Sequence, residues 1–271
     1  MHPHALTNLS ATEARLAAVL ARPRPIAIAC VLAFSGLGWL ALGLMAGAAS
    51  APPTTPAFWQ ALCRGDIAGD WSGFAFAAAM WAAMALAMML PTAGPMILTY
   101  AEIADTAAGK RERVVSPLIL TAGYVTAWLG FALAAASLQL ALARARLLDT
   151  GATGLLAAGT IVLVAGLYQF SALKHACLDL CQRPFPFFFS NWTTETRGVF
   201  RLGLRQGLYC LGCCWALMLV MLAAGAMNVV WMAALGALMT IEKMTTGARF
   251  SEAVGVAFVA IGLGLVAASV L

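Results

Sequence analysis

Charge is what this chain has least of: 10% of its 271 residues are charged and 62% are hydrophobic, with a mean hydropathy of +0.88. So little polar surface cannot coat a water-soluble globule, and so much apolar residue excludes a disordered chain. Histidine is scarce too, with three in all, of which His2 and His4 lie at the extreme N-terminus. That excludes haem and multi-histidine sites. The sequence holds no phosphate-binding glycine loop and no Ser/His/Asp set. Seven cysteines are too few and too uneven for a disulfide-stapled scaffold. The net charge of +5 is not gathered into a basic domain, which argues against a nucleic-acid partner.

What is abundant is apolar residue in blocks of spanning length, as a ~30 Å hydrocarbon core crossed by ~20 helical residues requires. Hydropathy marks seven spans: Ile26 to Ala48, Phe74 to Tyr100, Pro117 to Leu142, Gly154 to Leu173, Gly207 to Ala224, Val229 to Met244 and Phe250 to Leu271. The first is too long for a cleaved signal and is read as an anchor. The expected fold is an all-α polytopic transmembrane bundle, with residues 1–25 as a cytoplasmic tail and 26–271 as one membrane domain in contact with the lipid bilayer. An N-terminus inside leaves thirteen Lys and Arg on the cytoplasmic side and only Arg64, Arg144 and Arg146 outside, as the positive-inside rule favours. Gly43-x₃-Gly47 and Gly203-x₃-Gly207 read as places where helices approach closely.

On this reading the one hydrophilic stretch with chemistry is the inside loop 174–206. It begins Lys-His-Ala-Cys-Leu-Asp-Leu-Cys, and its aromatic run Phe185 to Phe189 is expected in the headgroup layer. Cys177 and Cys181 lie one turn apart if their segment stays helical, and Cys210, Cys213 and Cys214 share an arc of the next span, extended by Met218 and Met221. Five of seven sulfhydryls thus start from one membrane face, while Cys30 and Cys63 stand apart. In a reducing compartment this spacing points to metal coordination. Two pairs suit a closed Cys₄ zinc site; a fifth thiol and thioethers running inward suit copper(I), which prefers soft sulfur ligands.

Several residues keep two readings. Met80, Met84 and Met88, with Met89, Pro91 and Pro95 beside them, line a metal path or fill gaps in packing. Glu242 and Lys243 snorkel to the headgroups, or Glu242 faces the cysteines as an oxygen ligand or proton acceptor. His175 is a ligand or an interfacial residue, and Asn228 caps the turn after the fifth span.

The strings Met88-Met-Leu-Pro91, Leu173-Lys-His-Ala-Cys-Leu-Asp-Leu-Cys-Gln-Arg-Pro184, Gly207-Leu-Tyr-Cys-Leu-Gly-Cys-Cys-Trp-Ala-Leu-Met218, Met227-Asn-Val-Val-Trp-Met232 and Glu242-Lys243 resemble a bacterial family. It is the one labelled predicted metal-binding integral membrane proteins, domain of unknown function 2182. The resemblance runs from about Phe74 to Met244. It implies a multi-pass protein of the bacterial inner membrane and supports Cys177, Cys181, Cys210, Cys213, Cys214, Glu242 and Lys243 as the residues to test. The expectation is a copper(I) carrier or metallocentre assembly factor, not an enzyme, working with a metallochaperone or a metalloenzyme complex. Two alternatives stay open: a membrane thiol–disulfide oxidoreductase using Cys210 and Cys213, and a non-catalytic subunit stapled by structural zinc.

Overall fold

Helix starts in this chain are set by small local devices. Ser116 accepts the Leu118 N–H ahead of Pro117, and Ser171 accepts the Lys174 N–H, each satisfying a donor that has no partner within its own helix. The computed structural model describes residues 23–49, 71–109, 115–145, 152–224, 229–245 and 247–270; the expected turn cap Asn228, together with Cys63, His2 and His4, lies outside them. The described residues are all-α. In order they form α1 (Pro23–Ala49), α2 (Trp71–Met84), α3 (Gly94–Gly109), α4 (Pro117–Arg144), α5 (Ala152–Tyr168), α6 (Ala172–Gln182), α7 (Pro184–Asn191), α8 (Thr196–Ala224), α9 (Val229–Met244) and α10 (Arg249–Ala268). Helix α2 runs on through a π-helical turn, Ala85–Met89, into Leu90–Thr92.

Five of these helices are long and apolar enough to cross a membrane, and α5 with α6, bent by 66°, makes a sixth if the pair is one span. The chain is thus a multi-pass membrane protein, with differences from the seven expected spans. The second ends at Thr92, because α3 starts afresh at Gly94. The fifth begins at Thr196 rather than Gly207. The expected sixth, α9, has 16 residues and is short for a full crossing. The stretch 174–206 is not a loop: α6, α7 and the first turns of α8 occupy nearly all of it. Phe187 and Phe188 of the aromatic run are buried, with the Arg205 guanidinium stacked over Phe187, and only Phe185 and Phe189 face outward.

The bundle is centred on α2 and α8. Buried residues make up 67% and 61% of their spanning windows, against 22% for α1 and for α10, so the outer two present leucines such as Leu32 and Leu263 to lipid. Helix α8 packs most extensively on α4, and their backbones touch. A Cβ on Gly203 would run into the Leu120 carbonyl, and one on Gly123 into the Phe200 carbonyl. Gly207 also sits close against the Tyr124 carbonyl, at 2.8 Å from where its Cβ would be. Only glycine allows this approach, and in lipid such packing drives helix association. The Gly203-x₃-Gly207 expectation is met. Among the described residues nothing lies within 4 Å of the Cβ position of Gly43; α1 passes α2 at Gly38, where a Cβ would stand 2.6 Å from the Ala87 nitrogen.

One ion pair is sealed inside. Lys174 and Glu242 are 0% and 2% exposed, and the Lys174 ammonium donates to Glu242 Oε1 and Gln169 Oε1, while the Ser251 hydroxyl donates to the same Glu242 oxygen. The cluster ties the end of α5, α6, α9 and α10 together. A buried charge is tolerated because its partner and its hydrogen bonds are buried with it.

Two measurements check this packing. Gly203→Val should destabilise the protein by about 1–3 kcal/mol or more, because its clash is with backbone rather than with a movable side chain, whereas Gly43→Val should stay within ~0.5 kcal/mol of the parent; unfolding in mixed detergent reads both. Lys174→Met should cost about 3–5 kcal/mol by stranding Glu242. Adding Glu242→Gln should recover much of that loss, and no recovery would mean that the pair is not the source of the stability.

Candidate metal centre

Helix α8 supplies three thiols from one turn, and α6 brings a fourth against them. Cys210, Cys213 and Cys214 are 0–1% exposed. The Cys213 thiol donates to the Cys210 carbonyl at 3.1 Å, and its sulfur is 3.3 Å from that of Cys214. Cys181 reaches across from α6 into hydrogen-bonding contact with both Cys210 and Cys213. Cys177, one turn earlier, lies against Gly212, so the expected helical face carrying both α6 cysteines does turn toward α8. All five are free thiols, as is Cys30, which is buried alone on α1.

Gly212 and Tyr168 make this approach possible. A side chain on Gly212 would collide with the Cys177 sulfur. The Tyr168 hydroxyl at the end of α5 donates to the Gly212 carbonyl, and its ring packs edge-on against Trp215 with centroids 5.0 Å apart. The Gln182 amide then donates to the Glu242 and Thr245 carbonyls at 3.0 Å each. It satisfies carbonyls left open at the end of α9 and fixes the end of α6 beside it.

Two side chains that carry no sulfur complete the centre. Tyr124, fully buried on α4, places its hydroxyl 2.9 Å from the Cys210 sulfur and donates to the Met89 carbonyl at 3.0 Å. Lys243 donates to Cys210 Sγ at 3.0 Å and to Thr92 Oγ1 at 2.6 Å. The sequence left two readings for this pair, snorkelling to the headgroups or Glu242 facing the cysteines; in the structure it is Lys243 that faces them. Glu242 is committed to Lys174 and Ser251, and the cation meets the sulfur. Neighbours on a helix point ~100° apart, so the sequence could show that one of the pair faces the cysteines but not which. Nothing in the spacing marked Tyr124, which stands next to the crossing glycine Gly123.

The remaining candidates are placed as follows. Met218 is fully buried one turn beyond Cys214, with Met221 behind it. His175 is half-buried on α6, about 120° round the helix from Cys181. Met80, Met84, Met88 and Met89 are all buried, but the π turn interrupts their four-residue spacing; such turns recur at functional sites. Pro91 has no N–H to offer the Ala87 carbonyl, and the Ser35 hydroxyl of α1 reaches it at 3.4 Å.

Chemically the centre is a set of soft donors meeting in pairs. Among the described residues no three His, Cys, Asp or Glu side chains stand arranged to hold a metal ion as they are. The donor set nonetheless fits a thiophilic monovalent ion: paired thiolates on Cu(I) carry one net negative charge, and the Lys243 ammonium stands ready to offset it.

No curated protein matches the chain, and no solved structure matches it. A family model does, over residues 78–265, and its description is that of a copper chaperone, PpoB2. The match contains the π turn, Tyr124, all five clustered cysteines and Lys243. Spanning well over half of the sequence with that centre inside it, the match shows that this chain belongs to the PpoB2 copper chaperone family.

Proposed function

We propose that the chain takes Cu(I) as its cargo at the thiols of Cys181, Cys210, Cys213 and Cys214, with Cys177, Met218 and His175 as flanking donors, and hands the ion to a partner protein. The observation that carries this is the contact of Cys181 on α6 with Cys210 and Cys213 on α8, since it joins sulfurs 29 and 32 residues apart in the chain at one buried spot. Pairwise sulfur contact suits an ion content with few ligands. A structural zinc site needs four thiolates closed into a tetrahedron, which fits these pairs less well. A dithiol oxidoreductase needs an accessible attacking sulfur, and Cys210 and Cys213 are sealed from solvent.

The resemblance to domain of unknown function 2182 and the thirteen-to-three division of Lys and Arg support a bacterial inner membrane, with this centre toward the cytoplasmic face. The partners are then a cytoplasmic metallochaperone or a metalloenzyme being assembled. Glu242 acts by holding α9 rather than as a ligand, and Lys243 is a positioning residue for the charge on Cys210.

Purification in lipid nanodiscs under reductant, followed by copper and zinc analysis and sulfur-ligand spectroscopy, tests the reading. The parent protein should carry copper with sulfur ligands, Cys181→Ser and Cys210→Ser should lose it, and Cys30→Ser should not. Lys243→Met should weaken copper retention by about 10–100-fold, the usual cost of removing a supporting group at a metal site. Equal copper in the parent and in a variant lacking all five clustered thiols would end the proposal.

A further inference from the structure

Next to the paired sulfurs lies a cavity of about 120 Å³, the volume of about four waters in the liquid. Cys181, Lys243, Gln206, Thr240, Pro95 and Met244 are among the residues that line it; Gln206 is buried, Cys181, Lys243 and Thr240 are half-buried, and Pro95 and Met244 are exposed, so the cavity opens outward. Its donors are unusual. The hydroxyls nearby are spent on carbonyls, Thr92 and Tyr124 on that of Met89 and Thr240 on that of Gly236. Lys243 uses two of its three N–H groups on Thr92 and Cys210, which leaves a third. Gln206 is 1% exposed, and its amide nitrogen has no hydrogen-bond partner. Buried amides are rarely left so without a ligand or water to satisfy them.

A donor-lined recess of that size, ending on a sulfur, fits the charged tip of a small anion. We propose that it receives the incoming ligand of copper, a thiolate borne either by a small thiol or by a loop of the partner protein; this rests on the copper reading above. The exchange is balanced without redox change. The incoming group enters as a thiol and loses its proton as its sulfur binds Cu(I); the bond from copper to Cys181 breaks, the released proton passes to the Cys181 sulfur, and copper remains Cu(I). Gln206 and Lys243 stabilise the thiolate charge that develops on the incoming sulfur while the new bond forms.

Two arms test this in nanodiscs. In metal-free protein, alkylation of Cys181 by iodoacetate and by iodoacetamide is followed by peptide mass spectrometry, with Cys177 as internal reference. The preference for the anionic reagent should be larger at Cys181 than at Cys177 and should fall about tenfold in Gln206→Leu, the scale on which local charge and dipoles concentrate an ion. Thr240→Phe, which fills the cavity, should slow both reagents at Cys181 and leave Cys177 unchanged. Equal preference at the two cysteines, with neither variant altering it, overturns the proposal.

In copper-loaded protein, both variants should keep the parent's copper content and release it more slowly. Slowed release to glutathione alone assigns the recess to small thiols; slowed release to a folded cysteine-bearing acceptor alone assigns it to a partner's loop. Unchanged release to both overturns the proposal while leaving copper binding intact. A parent protein without copper overturns the copper reading instead, and the alkylation arm still reports on the recess.

Discussion

The close crossing of α4 on α8 is the constraint on which the cysteine cluster depends. Gly123, Gly203 and Gly207 let the two backbones meet, and Tyr124, next to Gly123, then meets Cys210, one turn past Gly207, at 2.9 Å. A wider crossing would withdraw the phenol and leave Cys210 facing a gap. The same approach carries the Tyr124 hydroxyl on to the Met89 carbonyl, at the π turn where α2 is irregular. One glycine-lined seam therefore registers three helices against each other at the sulfurs. In lipid there is no apolar driving force between helices, so such registration comes from fit and from hydrogen bonds.

A second constraint acts through the neighbours Glu242 and Lys243. Because they point in different directions, the end of α9 is held on one side by the sealed pair with Lys174 and presents the Lys243 ammonium to Cys210 and Thr92 on the other. Gln182 completes the clamp by bonding the Glu242 and Thr245 carbonyls, and it is the residue next to Cys181. The charge cluster and the sulfur cluster thus share two pairs of adjacent residues, 181 with 182 and 242 with 243. An isolated lysine near a membrane end would snorkel away; here the buried carboxylate next to it fixes the helix end, and the ammonium is delivered to sulfur.

Much of this was legible in the sequence, and the limits have physical causes. Hydropathy found the spanning helices, because a span must be apolar along its whole length. It misplaced the ends of two, because Thr196 to Gln206 continues α8 with arginines that turn outward, and because Ala93 breaks what hydropathy reads as one block ending at Tyr100. The cysteines were visible as a set, since helical spacing fixes which residues share a face. What spacing cannot give is the azimuth of one helix relative to another. Hence the sequence could not show that Lys243 rather than Glu242 meets the cysteines, nor that α1 passes α2 at Gly38. The π turn was out of reach too, for Pro91 announces that a hydrogen bond is missing but not how the backbone absorbs it.

The arrangement bears on how copper would travel. A route along α2 would need the methionines to form one continuous stripe, and the π turn displaces Met88 and Met89 relative to Met80 and Met84. Met88 packs toward Gly236 of α9, filling space between helices. The sulfurs, by contrast, adjoin a cavity whose lining includes exposed Pro95 and Met244, by the end of α9 that holds Lys243. Cargo that arrives and departs through one opening needs no conduit across the bilayer. On the proposed reading it needs exchangeable ligands, a counter-charge and shelter from solvent, for which Cys181, Lys243 and the crossing of α4 on α8 are the candidates, and that reading favours handover over passage through the bundle.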